Sequence, residues 1–175
     1  MIWITTDTHF HHQNLIDGGC RPKGYEEKIY KYLKEYIKPD DILIHLGDFC
    51  WTNDDLEHQL FTSTIICKKK WFILGNHDGK GISWYLSRGW DFCGHKIELD
   101  IYGRKILFSH IPQPPNSRAW DLNIHGHFHD YSEERIKEFE PHIYRYLDHR
   151  HYLISMENNN YQPVNLETIV KQFKK

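Results

Sequence analysis

Ile2-Trp3-Ile4-Thr5-Thr6-Asp7-Thr8-His9 is an apolar, β-branched run that stops at an aspartate and a histidine. It has the composition of a buried strand, and its polar end carries two side chains able to hold a metal. The same figure recurs four times. Ile42-Leu43-Ile44-His45-Leu46 ends in Gly47-Asp48, and Trp71-Phe72-Ile73-Leu74 ends in Gly75-Asn76-His77-Asp78. Ile106-Leu107-Phe108-Ser109 ends in His110, and Leu122-Asn123-Ile124 runs into His125-Gly126-His127-Phe128-His129. Ligands of α/β sheets bind outside the carboxyl ends of the strands, so the five ends are expected to meet at one place. Three imidazoles at alternate positions make a poor core and a good donor set. Side chains two apart on an extended segment point the same way, and neutral imidazole is the commonest protein ligand of transition metals.

Helical patterns separate the early strands. Tyr25 to Lys38 puts Ile29, Leu33, Tyr36 and Ile37 on one face, and Pro39-Asp40 stops it. Asn53 or Asp54 is expected to cap a second helix running to Cys67, and Gly81 to Arg88 a shorter third. Two alternating runs around Tyr102-Gly103-Arg104 predict a β-hairpin over Lys96 to Ser109. Tyr131 to Arg150 reads as irregular, helical around Glu133 to Glu140 and interrupted by Pro141. Tyr152 to Met156 reads as another strand, and Asn165 as the cap of a final helix, Leu166 to Phe173. The pattern is α/β with mixed strands, and no repeat or linker divides residues 1–175, which are expected to form one domain.

A chain of 175 residues with 39% hydrophobic and 26% charged residues is ordinary for a soluble globular protein. The net charge of -2 argues against a surface built to coat nucleic acid, though not against a nucleotide substrate. Cys20, Cys50, Cys67 and Cys93 show no CxxC pairing, and no signal peptide or membrane-length apolar run is evident. A cytoplasmic protein with reduced thiols is expected, with no membrane partner. Fourteen histidines are many for this length and point to metal chemistry.

The strand ends supply Asp7, His9, Asp48, Asn76, His110, His127 and His129. Seven nitrogen and oxygen donors without a thiolate exceed the needs of one tetrahedral ion and suit two borderline divalent metals, one aspartate being shared. Two ions about 3.5–4 Å apart clamp a phosphoryl group and generate hydroxide at neutral pH.

Asp7-x-His9, Gly47-Asp48, Gly75-Asn76-His77-Asp78, His110 and Gly126-His127-x-His129 resemble, in order and spacing, the five motifs of the calcineurin-like metallophosphoesterase superfamily. Asn160-Tyr161-Gln162-Pro163-Val164 is similar to the tail of its small bacterial and phage branch. The resemblance implies a four-layer α/β sandwich of two mixed β-sheets flanked by helices, with the metals at one edge. It implies that Asp7, His9 and His129 hold one metal, that Asn76, His110 and His127 hold the other, and that Asp48 bridges them. Manganese is the first expectation, with iron, zinc or nickel also accepted by such ligands. His77 resembles the superfamily's general acid or phosphate-contacting histidine, oriented by Asp78. The implied reaction is phosphodiester hydrolysis by attack of a metal-bridging hydroxide, with His77 protonating the leaving group.

Other residues are weighed beside these. His12 and Arg21 are candidate substrate contacts, Arg21 being otherwise an exposed loop residue, and Arg118 is a weaker candidate. His11 has a surface reading as well as a substrate one. His45, inside an apolar strand, reads as a core histidine, and His125 as standing behind the ligands. Lys68-Lys69-Lys70 reads as a solvated run, and the six tryptophans as core and rim.

Two rivals share parts of this pattern. His125-x-His127-x-His129-Asp130 superficially resembles the metallo-β-lactamase signature, but the aspartate follows the last histidine and Asp7, Asp48 and Asn76 are left unexplained. A scaffold that had lost catalysis would have lost ligands, and all are present. Small phosphodiesters or nucleotides are the expected substrates, nucleic acid entering as substrate only. Phosphomonoesters, a phosphoprotein and a non-catalytic role are the alternatives, and the oligomeric state is not legible.

Overall fold

The computed structural model describes residues 1–52, 54–115 and 119–173. In chain order the elements are β1 (Ile2–Thr5), α1 (Gln13–Asp17), α2 (Tyr25–Tyr36), β2 (Ile42–His45), α3 (Asp54–Thr64), β3 (Lys69–Ile73), α4 (Ile82–Leu86), β4 (Phe92–Gly94), β5 (Lys96–Ile101), β6 (Arg104–Ser109), β7 (Leu122–His125), α5 (Glu133–Phe139), α6 (Pro141–Tyr144), β8 (His151–Leu153), β9 (Val164–Asn165) and α7 (Leu166–Gln172). One sheet has the order β4-β3-β2-β1-β9 and the other β5-β6-β7-β8. Both are mixed. In the first, β9 alone runs antiparallel to its neighbour; in the second, β5 does.

Alternation along the strands explains the layers. Ile2 and Ile4 of β1, Ile44 of β2 and Ile73 of β3 face Ile106, Phe108, Leu122 and Ile124 of the second sheet and form the core between the sheets. Trp3, Leu43 and Phe72 point the other way, onto Tyr25, Ile29 and Leu33 of α2 and Phe61 of α3. Beyond the second sheet, Phe128 packs with Ile136 of α5 and Ile143 of α6. The result is two mixed sheets flanked by helices, the architecture expected from the motifs. Each buried Leu, Ile or Phe contributes about 1.5–3 kcal/mol.

Several boundaries differ from the sequence reading. The second helix stops at Thr64 rather than Cys67, because Lys68 N donates to Asp41 O at 2.8 Å and feeds the chain into β3. Of its two candidate caps, Asp54 is the first residue of the helix and Asn53 lies outside the described residues, as does Arg118. Pro141 starts α6, where its missing N–H is no loss. β4 and β9 are two or three residues long, too short for alternation to reveal them. Among the described residues no helix is long and apolar enough to cross a membrane.

Candidate metal centre

Parallel pairing makes β1, β2 and β3 end at one edge of their sheet, and β6 and β7 at one edge of theirs. Two glycines let these ends meet. A Cβ on Gly75 would lie 2.1 Å from Asp48 Oδ1 and 2.5 Å from Asp48 N, and one on Gly126 would lie 2.1 Å from Thr6 Oγ1 and 2.3 Å from Asp7 Oδ2. Only a residue without a side chain fits either place. The backbone is also held away from its preferred regions: φ is +47° at Asp7, +45° at His9, +53° at Asp48, +75° at His127 and +51° at His129. Left-handed conformations at non-glycine residues concentrate at functional sites, and here they fall on five of the seven candidate ligands.

Asp7, His9 and His129 form one donor group. Asp7 Oδ1 is 3.9 Å from His9 Nε2 and 3.6 Å from His129 Nε2. Asp7 Oδ2 is fixed by Thr6 Oγ1, which donates at 2.5 Å, and by His127 N at 3.1 Å. Its Oδ1 and both ring nitrogens of His9 are buried without a hydrogen-bond partner. Native interiors rarely leave such atoms unsatisfied.

Asp48, Asn76, His110 and His127 form the second group. His110 Nε2 is 3.3 Å from Asp48 Oδ2, 3.0 Å from Asn76 Oδ1 and 3.3 Å from His127 Nδ1. His110 Nδ1 lies 2.8 Å from the carbonyl oxygen of Leu46, and His127 Nε2 lies 3.7 Å from Glu140 Oε1. Each ring thus turns one nitrogen to an acceptor and the other to the centre. Asp48 Oδ2 also lies 3.8 Å from His9 Nε2, so one oxygen reaches donors of both groups.

The donors fit metal ions. Ligand atoms bound at about 2.0–2.2 Å to one ion stand at the separations seen here, and the unpartnered oxygen and imidazole of Asp7 and His9 are donors of the right type. Electrostatics agree. Burial lowers His9 and keeps it neutral. Burial also opposes charge on His110, but Asp7 and Asp48 outweigh it and raise the ring to about 9. Despite burial, the hydrogen bond and charge of His110 hold Asp48 well below the carboxylate range.

His77 stands at the rim. Its Nε2 is 3.8 Å from Asp48 Oδ2 and its ring is partly exposed. Asp78 does not orient it. Asp78 Oδ2 accepts from Asp48 N at 2.8 Å and Gly75 N at 2.7 Å, and Oδ1 accepts from Phe49 N at 3.2 Å. It staples the loop after β2 to the loop after β3, because three backbone N–H groups converge on it. Burial and the nearby charge of Asp48 raise its pKa to about 6.

Arg21 is neither an exposed loop arginine nor a phosphate grip. Its guanidinium is buried, donating to the carbonyl oxygens of Asp7 at 2.7 Å and Thr8 at 2.9 Å and to Glu157 Oε1 at 2.8 Å. It holds the first ligand loop from behind. His12 does sit beside the centre, its ring 5.5 Å from that of His9. His11 Nε2 lies 2.7 Å from Glu57 Oε2 instead. His45 is buried, accepting at Nδ1 from Gly47 N at 3.1 Å. His125 is buried on β7 with Nδ1 2.9 Å from Gly126 O, outside both donor groups.

The sequence reading missed four neighbours of the centre. Glu157 Oε1 lies 3.1 Å from His129 Nδ1, leaving Nε2 of that ring for Asp7's side. A strand-end rule would have found it, since β8 runs parallel to β7 and Glu157 lies shortly beyond its end. Glu140 and Arg135 come from the charged segment after the histidines. Arg135, 3.9 Å above the Tyr131 ring, lines a cavity of ≈ 260 Å³ with Asp48, Asn76, His77, His127 and His129. Trp51 is the fourth, its ring 5.0 Å from that of His77.

A second cluster, Cys50, Asp54 and His58, is satisfied internally. The Cys50 thiol donates to Asp54 Oδ1 at 2.7 Å, and Trp90 Nε1 donates to His58 Nδ1 at 3.0 Å. That bond leaves the proton of a neutral His58 on Nε2, where a metal would have to bind.

Comparisons with known proteins agree with the geometry. A protein of unknown function from Aquifex aeolicus superposes with a TM-score of 0.75 at 30% identity, over 99% of each chain. An uncharacterized protein of Methanocaldococcus jannaschii is 27% identical over 99% of this chain and 92% of its own length. The nuclease MPE of Pseudomonas putida, at 21% identity, shares the fold with a TM-score of 0.50 over 73% of this chain and 61% of its own. A family model described as calcineurin-like phosphoesterase matches residues 1–169, a span that takes in all five strand-end motifs. By that match, and by the sheets and donors it covers, the chain belongs to the calcineurin-like phosphoesterase family.

Proposed function

We propose that this phosphoesterase is a two-metal phosphodiesterase acting on small phosphodiesters or nucleotides. The observation that carries the reading is the position of Asp48 Oδ2, 3.8 Å from His9 Nε2 on one side and 3.3 Å from His110 Nε2 on the other. A carboxylate so placed belongs to both donor sets. Asp7, His9 and His129 would hold one ion, Asn76, His110 and His127 the other, with Asp48 shared. Bound there, two divalent ions supply Lewis-acid polarisation of the phosphoryl group and a water activated at neutral pH.

The chain's own residues do the rest. Asp78 fixes the Asp48 and Asn76 loops against each other, and Glu157 and Glu140 turn His129 and His127. Arg135 brings a cation to the cavity wall where a phosphate oxygen would lie, with the planar fork that suits phosphate. His77, at the cavity rim, is placed to donate a proton to the departing oxygen. Manganese is the first metal to test. Four free thiols fit a reducing, cytoplasmic setting.

The test is turnover by the manganese-loaded protein on bis-p-nitrophenyl phosphate, p-nitrophenyl phosphate, cyclic nucleotides and a phosphopeptide. Faster hydrolysis of the diesters is expected. Preference for a monoester or phosphopeptide would replace the diesterase reading, and metal binding without turnover on any of them would make the chain a scaffold.

A further inference from the structure

Trp51 is 46% exposed although it stands beside the centre. Its ring lies flat on His12, with centroids 4.0 Å apart and planes at 6°, and its centroid is 5.0 Å from that of His77. The backbone that carries the indole is anchored. Trp51 N donates to Phe10 O at 2.8 Å, and Phe10 bridges Cys50, which anchors the loop that leaves Asp48. His12 in turn abuts His9, and its Nδ1 is buried without a partner. A large flat apolar surface therefore stands on an anchored stretch of backbone, one ring away from a candidate ligand and against the candidate proton donor.

We propose that Trp51, backed by His12, is the platform on which a nucleobase of the substrate stacks, so that the site takes nucleoside phosphodiesters in preference to alkyl ones. The proposal rests on the phosphoesterase reading above and names its substrate class. The indole lies one ring, His12, away from the candidate ligand His9, so a base stacked on it would be joined to a phosphate at the centre through its sugar. Stacking tolerates any base, because every base presents a π-face. The surface thus selects for nucleotides without selecting a sequence. Trp51 is a specificity-determining residue and takes no part in bond breaking.

The experiment compares two esters with one leaving group, thymidine 5′-(p-nitrophenyl phosphate) and methyl p-nitrophenyl phosphate, on the manganese-loaded wild type, Trp51→Phe and Trp51→Ala. Trp51→Ala should raise KM for the thymidine ester about tenfold more than for the methyl ester, in line with alanine losses at stacking sites. Trp51→Phe should recover most of the difference. Equal effects on the two esters, or none, would overturn the platform. A second arm needs no turnover: thymidine 5′-phosphate should quench the fluorescence of the wild type and not that of Trp51→Phe. If neither ester is hydrolysed but the quench appears, the phosphoesterase reading falls and the platform stands. If hydrolysis occurs and the quench is absent, the platform falls alone.

Discussion

Replacing Asp48 by asparagine keeps its size and one carbonyl oxygen but removes the charge that His9 and His110 both face. Asp48→Asn should therefore lose bound manganese, read by elemental analysis, together with turnover. His77→Ala should differ in kind. The ring lies at the rim and its backbone N–H, which donates to Asp48 Oδ1 at 2.9 Å, survives the change. Metal content should stay while kcat falls about 10²–10⁴-fold, the usual contribution of a positioned proton donor. A His77→Ala protein that loses its metal would place His77 among the ligands. Glu157→Gln tests the support of a ligand. It keeps an oxygen near His129 Nδ1 but removes the charge that raises that ring against its burial. Manganese affinity measured by calorimetry should fall about 10–100-fold, as for other partners of metal-bound histidines.

Elements matter through the ends they bring together. Gly126→Ala drives a methyl group into Thr6 Oγ1 and Asp7 Oδ2, so the strap after β7 must move off the end of β1. We expect a loss of about 1–3 kcal/mol in urea unfolding, the usual cost of overpacking, along with weaker metal binding. α5 forms the wall that faces the ligands. Arg135→Ala should raise KM for a phosphodiester about tenfold or more and leave kcat nearly intact, and an unchanged KM would remove Arg135 from the phosphate. How much of this was legible in the sequence follows from the same distinction. The strands that carry the motifs showed themselves, because a buried parallel strand is a short apolar run and each ended in polar donors. Asp78 and Arg21 were misread because a hydrogen-bonding side chain announces its chemistry and not its partner. Arg135 was not seen because it comes from a segment with no strand-end motif, and only the tertiary fold brings it to the centre. Glu157 and Trp51 do follow strand ends, but neither residue type marks itself there as a neighbour of the ligands.

Across the whole molecule, buried neutral histidines set the response to acid. Burial holds His45 well below the ordinary imidazole value and lowers His58 and His125 to about 3. In the unfolded chain such rings titrate near 6.5. Their contribution to stability is complete above that pH and is lost as the pH falls, because the unfolded chain takes up protons that the folded one refuses. The slope is up to about 1.4 kcal/mol per pH unit for each ring. His110, raised to about 9, acts in the opposite sense, and only between its unfolded value and 9. Urea midpoints measured with chelator present should therefore drop between pH 6.5 and 5, and a flat profile would mean that the rings are not buried neutral. Adding manganese at about 100 times its Kd should raise stability by about 2.7 kcal/mol.

The left-handed turns at Asp7, His9, Asp48, His127 and His129 carry one more consequence. Each costs on the order of 1 kcal/mol that glycine would not incur. Glycine at any of them would relieve that strain while depriving the centre of a ligand. Stability and chemistry thus pull in opposite directions at the same residues. Under selection for folding alone, drift at these positions would run toward an inert and sturdier protein. The five strained turns are a record of selection for something other than a stable fold.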